Sequence, residues 1–248
     1  MGSSAADPTS RLLRHERLIV AGGVALLVAL SWWFLATGAG MGGGGMGEGM
    51  AMAPPPLGAV VLMWWLMMFA MMLPSAAPTI LLYGRVRQMR GSDAAIAQTW
   101  IFLAGYLAIW LLFAVAAAAG QQMLSGGAMM LADERLATGV LIAAGAYQLS
   151  PLKSACLRQC RSPAQFLSRH WRPGAIGALR LGALHGAYCV GCCWLLMTLL
   201  FVGGIMNFAW IAALTLIVGV EKLLPGGEWL GRIAGVALIA WGAARLLA

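Results

Sequence analysis

Residues 57–83 read LGAVVLMWWLMMFAMMLPSAAPTILLY, and none of them is charged. A helix that crosses the hydrocarbon core of a bilayer needs about 20 apolar residues, so this run is long enough to cross at a tilt. It lacks the alternation of a strand, and only helices and closed barrels satisfy their backbone groups in lipid. It therefore reads as a membrane helix. Six more runs share its character: Leu18–Ala36, Ala97–Ala119, the shorter Leu136–Leu149, Ala175–Val202, Asn207–Leu224 and Trp229–Leu247. The expected fold is all-α, a polytopic transmembrane bundle of about seven helices.

Composition agrees with that reading. Only 10% of the 248 residues are charged and 61% are hydrophobic, whereas a soluble domain carries about 25% charge. The 33 glycines and 11 tryptophans suit close helix packing and membrane interfaces. A net charge of +8 would suggest nucleic acid for a soluble protein. Here the basic residues lie between apolar runs, and no nucleic-acid motif accompanies them.

Lys and Arg set orientation. Fourteen of the sixteen fall on one side of a seven-helix arrangement: Arg11, Arg14, Arg17, Arg85, Arg87, Arg90, Lys153, Arg158, Arg161, Arg169, Arg172, Arg180, Lys222 and Arg232. Arg135 and Arg245 fall on the other. The amino terminus is then cytoplasmic, and the expected location is a bacterial cytoplasmic (inner) membrane, crossed many times. The expected organisation is a cytoplasmic tail over 1–17 and a first membrane helix over 18–36. A Gly/Met/Pro-rich outer loop over 37–56 follows, then a six-helix membrane domain over 57–248 with a cytoplasmic Cys/Arg loop at 150–173. The basic start and the small-residue exit Ala36-Thr37-Gly38-Ala39 also fit a cleaved signal peptide; the expectation is a retained helix.

The chemistry concentrates in residues 181–194, LGALHGAYCVGCCW. At about 100° per residue, His185, Cys189, Cys192 and Cys193 share an arc of roughly 100°. Gly182 and Gly186 lie along it and would admit another helix closely. Ionisable residues at membrane depth usually mark functional sites, although a cysteine by itself is a comfortable buried hydrophobe. Within 57–83, Met67 and Met71, and Met68 and Met72, are each four apart and at comparable depth. Thioethers are soft ligands, but Met is also a general core filler. Pro74 and Pro78 should free carbonyls near residues 70 and 74.

Thiolate, thioether and imidazole suit copper(I) first and zinc second. The expected metal site is therefore His185, Cys189, Cys192 and Cys193 with Met67, Met68, Met71 and Met72. Cys156 and Cys160, four apart in the basic loop, are open to three readings: a cytoplasmic metal relay, a reversible disulfide, or ordinary cysteines. Met41, Met46, Met50 and Met52 would serve a loose metal-collecting loop outside, or a plain linker. Glu221 is open to an exit or coupling role, or to a local ion pair with Lys222. Neither haem nor nucleotide is expected, since His185 stands alone at depth and no Cys-x-x-Cys-His occurs.

Four blocks resemble a bacterial family of predicted metal-binding integral membrane proteins, a domain of unknown function. They are residues 67–75, MMFAMMLPS; 147–163, YQLSPLKSACLRQCRSP; 185–194, HGAYCVGCCW; and the pair Glu221-Lys222. The resemblance spans about residues 57–247 and implies a membrane location and metal binding, but no reaction. The expected function is binding of a soft metal ion, copper(I) first, for transfer or transport. The expected partners are the lipid bilayer, the metal ion, and a metallochaperone or another membrane subunit. Two alternatives stay open. One is a membrane thiol–disulfide oxidoreductase using Cys189 and Cys192. The other is a metal-dependent membrane enzyme or a subunit of a larger complex.

Overall fold

The computed structural model describes residues 8–37, 56–91, 94–125 and 130–247. All regular structure among them is helical: α1 (Pro8–Thr37), α2 (Leu57–Met89), α3 (Ala95–Ser125), α4 (Glu134–Gln148), α5 (Pro151–Arg161), α6 (Pro163–His170), α7 (Gly174–Thr198), the single turn α8 (Leu200–Gly203), α9 (Phe208–Leu223) and α10 (Gly227–Leu247). The loop methionines Met41, Met46, Met50 and Met52 lie outside the described residues.

Every apolar run of the sequence is helical, but not every one is long. Among the described residues, five helical stretches are long and apolar enough to cross a membrane: 17–37, 57–89, 95–124, 174–203 and 227–247. Helices α4 and α9 have 15 and 16 residues, about 22–24 Å at 1.5 Å per residue, short of the roughly 30 Å hydrocarbon core. Leu26, Trp33, Leu112, Ile176, Leu216 and Trp229 point outward and exposed, so the exterior is apolar as well as the core.

The stretch 150–173 holds two short helices. Ser150 accepts a hydrogen bond from the Lys153 amide at 3.1 Å and Pro151 starts α5, the arrangement that opens a helix. Pro163 starts α6. Gly174, with φ of 78°, turns the chain into α7. Helix α5 packs back along α7, and α6 against α2.

Glycines set the tightest crossing, between α3 and α7. A Cβ at Gly182 would overlap the Phe102 carbonyl, and one at Gly105 the Leu179 carbonyl. Helix α3 is thus the close neighbour that the α7 glycines admit. Helix α2 runs through Pro74 and Pro78 without interruption. The Ala70 carbonyl, four residues before Pro74 and so deprived of its donor, accepts a hydrogen bond from Trp32 Nε1 at 3.1 Å. That bond ties α1 to α2.

Candidate functional site

Helix α7 buries its sulfur-bearing face completely. Cys189, Cys192 and Cys193 are each 1% exposed and His185 is 2% exposed. Their spacing puts them on one face, and the Gly182 crossing holds that face against α3. Cys192 Sγ donates to the Cys189 carbonyl at 3.1 Å and Cys193 Sγ to the same oxygen at 2.9 Å. These bonds fold the two thiols back over the turn that carries Cys189.

Helix α5 supplies a fourth thiol. Cys160 is buried and lies next to Cys189 and Cys192. Because α5 folds back onto α7, this cysteine joins the cluster instead of standing apart from it. Cys156 faces Gly191: a Cβ at that glycine would lie 2.9 Å from Cys156 Sγ. All five cysteines are free thiols.

Helix α2 supplies Met72, whose sulfur lies 3.8 Å from Cys193 Sγ. Met67, Met68 and Met71 are fully buried in the core. Among the described residues no hydrogen bond ties their sulfurs to the cysteines.

Two polar groups complete the cluster. Tyr106 of α3 places its hydroxyl 3.1 Å from Cys189 Sγ. Lys222 of α9 donates from Nζ to Cys189 Sγ at 2.9 Å and lies 3.9 Å from Met72 Sδ. A buried ammonium requires anionic or hydrogen-bonding partners to offset its desolvation. The partners here are sulfurs.

Glu221, the residue before it, does not serve Lys222. Its carboxylate pairs with Lys153 Nζ of α5 at 2.6 Å and accepts from Gln148 Nε2 at 2.8 Å, while Lys153 also donates to Gln148. Arg161 caps the end of α9 by donating to the carbonyls of Glu221 and Leu224, each at 2.9 Å. Sequence reasoning missed Lys222, Tyr106 and Lys153. A signal for Lys222 was available: adjacent residues on a helix point about 100° apart and do not face each other. An ion pair between 221 and 222 was therefore geometrically poor.

His185 stands one turn before Cys189 in an aromatic box. Its ring centroid lies 5.2 Å from that of Phe166, 5.7 Å from Tyr106 and 6.2 Å from Phe102. Its Nδ1 is buried and has no hydrogen-bond partner. Among the described residues, no three His, Cys, Asp or Glu side chains form a group ready to hold a metal ion. The thiols are turned toward the Cys189 carbonyl and toward each other, and Lys222 lies against Cys189. Metal binding would require these side chains to turn.

A family model described as "copper chaperone", PpoB2, matches residues 61–245. The chain belongs to that family. The matched span holds every residue of the cluster, from Met72 to Lys222. No curated protein and no solved structure matches the chain. Membership in the copper-chaperone family associates the chain with copper.

Proposed function

We propose that this protein is an integral membrane copper(I) chaperone that holds its cargo on the buried sulfurs and passes it on. The observation that carries the reading is the gathering of four thiols and a thioether from three helices around the turn that carries Cys189: Cys160 of α5, Cys189, Cys192 and Cys193 of α7, and Met72 of α2. Soft sulfur ligands favour Cu(I). Met67, Met68 and Met71 line the adjoining core, and His185 offers an unpartnered ring nitrogen one turn away.

Charge supports a monovalent ion. Two thiolates and one Cu(I) carry a net charge of minus one. The Lys222 ammonium beside Cys189 neutralises that unit, in the manner of groups that orient and compensate metal ligands from behind. Tyr106 steadies Cys189 from α3. Glu221 is engaged by Lys153 and Gln148, which favours a structural role over metal exit.

In the bilayer the seven apolar helices form the bundle, with the short α4 and α9 packed against the longer α10. The positive-side rule puts the amino terminus and the 150–173 segment in the cytoplasm. The test is copper content by mass spectrometry after anaerobic loading of detergent-purified protein. The parent should hold near-equimolar copper, and Cys189→Ser and Cys160→Ser should hold far less. A folded parent that takes up no copper would overturn the reading.

A further inference from the structure

A cavity of about 440 Å³ opens where α6 meets α7, lined by Arg169, His170, Trp171, Arg172 and Arg180. That volume falls in the range of small-molecule sites. Arg90 of α2 stacks over the ring of Trp171, one of the lining residues, 4.5 Å from its centroid. Among the described residues, no Asp or Glu lines the cavity. A topological signal needs arginines near helix ends, but it does not need them gathered around a chamber.

The chamber adjoins the copper cluster. Leu181 and Leu184, which close its α7 side, lie one turn and one residue before His185. Phe166 is fully buried between the two imidazoles, its ring centroid 5.1 Å from that of His170 and 5.2 Å from that of His185. A single aromatic ring therefore separates a chamber histidine from the histidine beside Cys189.

This chamber suits a bare cuprous cation poorly, because fixed guanidinium charges repel it and, among the described residues, no carboxylate lines it to offset them. The same field concentrates anions and can speed their arrival by about 10- to 1,000-fold. We infer that copper reaches the protein as a small anionic copper(I) bis-thiolate complex, and that the arginine-lined cavity is where this complex docks. The inference rests on the copper reading of the buried cluster and adds the chemical form of the cargo.

Transfer is then a ligand exchange. The two Cu–S bonds to the carrier break and two Cu–S bonds to cysteines of the chain form. The cysteine protons leave with the departing carrier thiols. Copper stays monovalent, and no oxidant or reductant takes part.

The experiment compares two copper(I) donors on the full chain in detergent under anaerobic conditions. One is the anionic complex with excess glutathione, and the other is the cationic tetrakis-acetonitrile complex. The readout is the ratio of loading rates, anionic over cationic. The double variant Arg172→Glu/Arg180→Glu should lower that ratio at least tenfold, and Arg172→Lys/Arg180→Lys should retain it. In the parent alone, about 1 M salt, where screening shortens to about 3 Å, should also erase the anionic donor's advantage. An unchanged ratio under charge reversal, or a parent ratio insensitive to salt, overturns the inference while leaving the copper reading standing. Loading from neither donor would overturn both.

Discussion

Two ammonium groups are buried in this molecule, and they are held in opposite ways. Lys153 meets a carboxylate and an amide, Glu221 and Gln148, within hydrogen-bonding distance. Lys222, the residue after Glu221, meets a thiol and a thioether, Cys189 and Met72. The first arrangement is complete: the charge is paired, and the carboxylate's second oxygen is occupied. It joins α4, α5 and α9. The second has a soft, exchangeable acceptor in place of a carboxylate. A completed ion pair fixes helices together, whereas a cation set against sulfurs can stay in place while a metal joins those sulfurs.

That comparison can be broken by substitution, and the largest effect should come from the completed pair. Lys153→Met strands the Glu221 carboxylate in the interior and should cost about 3–5 kcal/mol of stability, read from detergent-phase melting. The double variant Lys153→Met/Glu221→Leu should recover much of it, since an apolar replacement of a whole pair is often neutral. If the single variant melts with the parent, Glu221 is not structural.

Lys222→Met should behave differently. Apo stability should hold or rise, because no carboxylate is stranded. Copper(I) affinity, read by competition with a cuprous chelator, should fall about 10- to 100-fold, the usual cost of losing a group behind the metal ligands. Equal effects of Lys153→Met and Lys222→Met on both readouts would erase the distinction between the two ammoniums.

Smaller effects sharpen the picture around α7. Gly182→Ala sets a methyl group against the Phe102 carbonyl and should cost about 1–3 kcal/mol through overpacking. It should weaken copper binding as well, since α3 carries Tyr106 to Cys189. Trp32→Phe removes the donor to the Ala70 carbonyl and should cost about 1 kcal/mol in melting. Its effect on copper affinity should be slight, through the seating of α2 and Met72.

Much of this was legible in the chain itself. Apolar runs predict helices wherever the structure has its long ones, because composition and length dominate that choice. The one-face arc of His185, Cys189, Cys192 and Cys193 follows from helical periodicity, and all four side chains are buried on α7. Periodicity works only within one helix, however. Cys160 joins the cluster because α5 folds back after Ser150-Pro151, a tertiary event that sequence spacing does not encode. Lys222 hid behind its neighbour Glu221, and their natural pairing concealed that each faces a different helix. The four methionines of α2 looked equivalent by spacing; how α2 is seated in the bundle, which spacing does not encode, puts Met72 beside Cys193.

The most direct test of the copper account is X-ray absorption at the copper edge on the anaerobically loaded protein. The account predicts a cuprous edge and a first shell dominated by sulfur, with one sulfur fewer in Cys189→Ser. A shell of nitrogen and oxygen alone, unchanged in that variant, would contradict it.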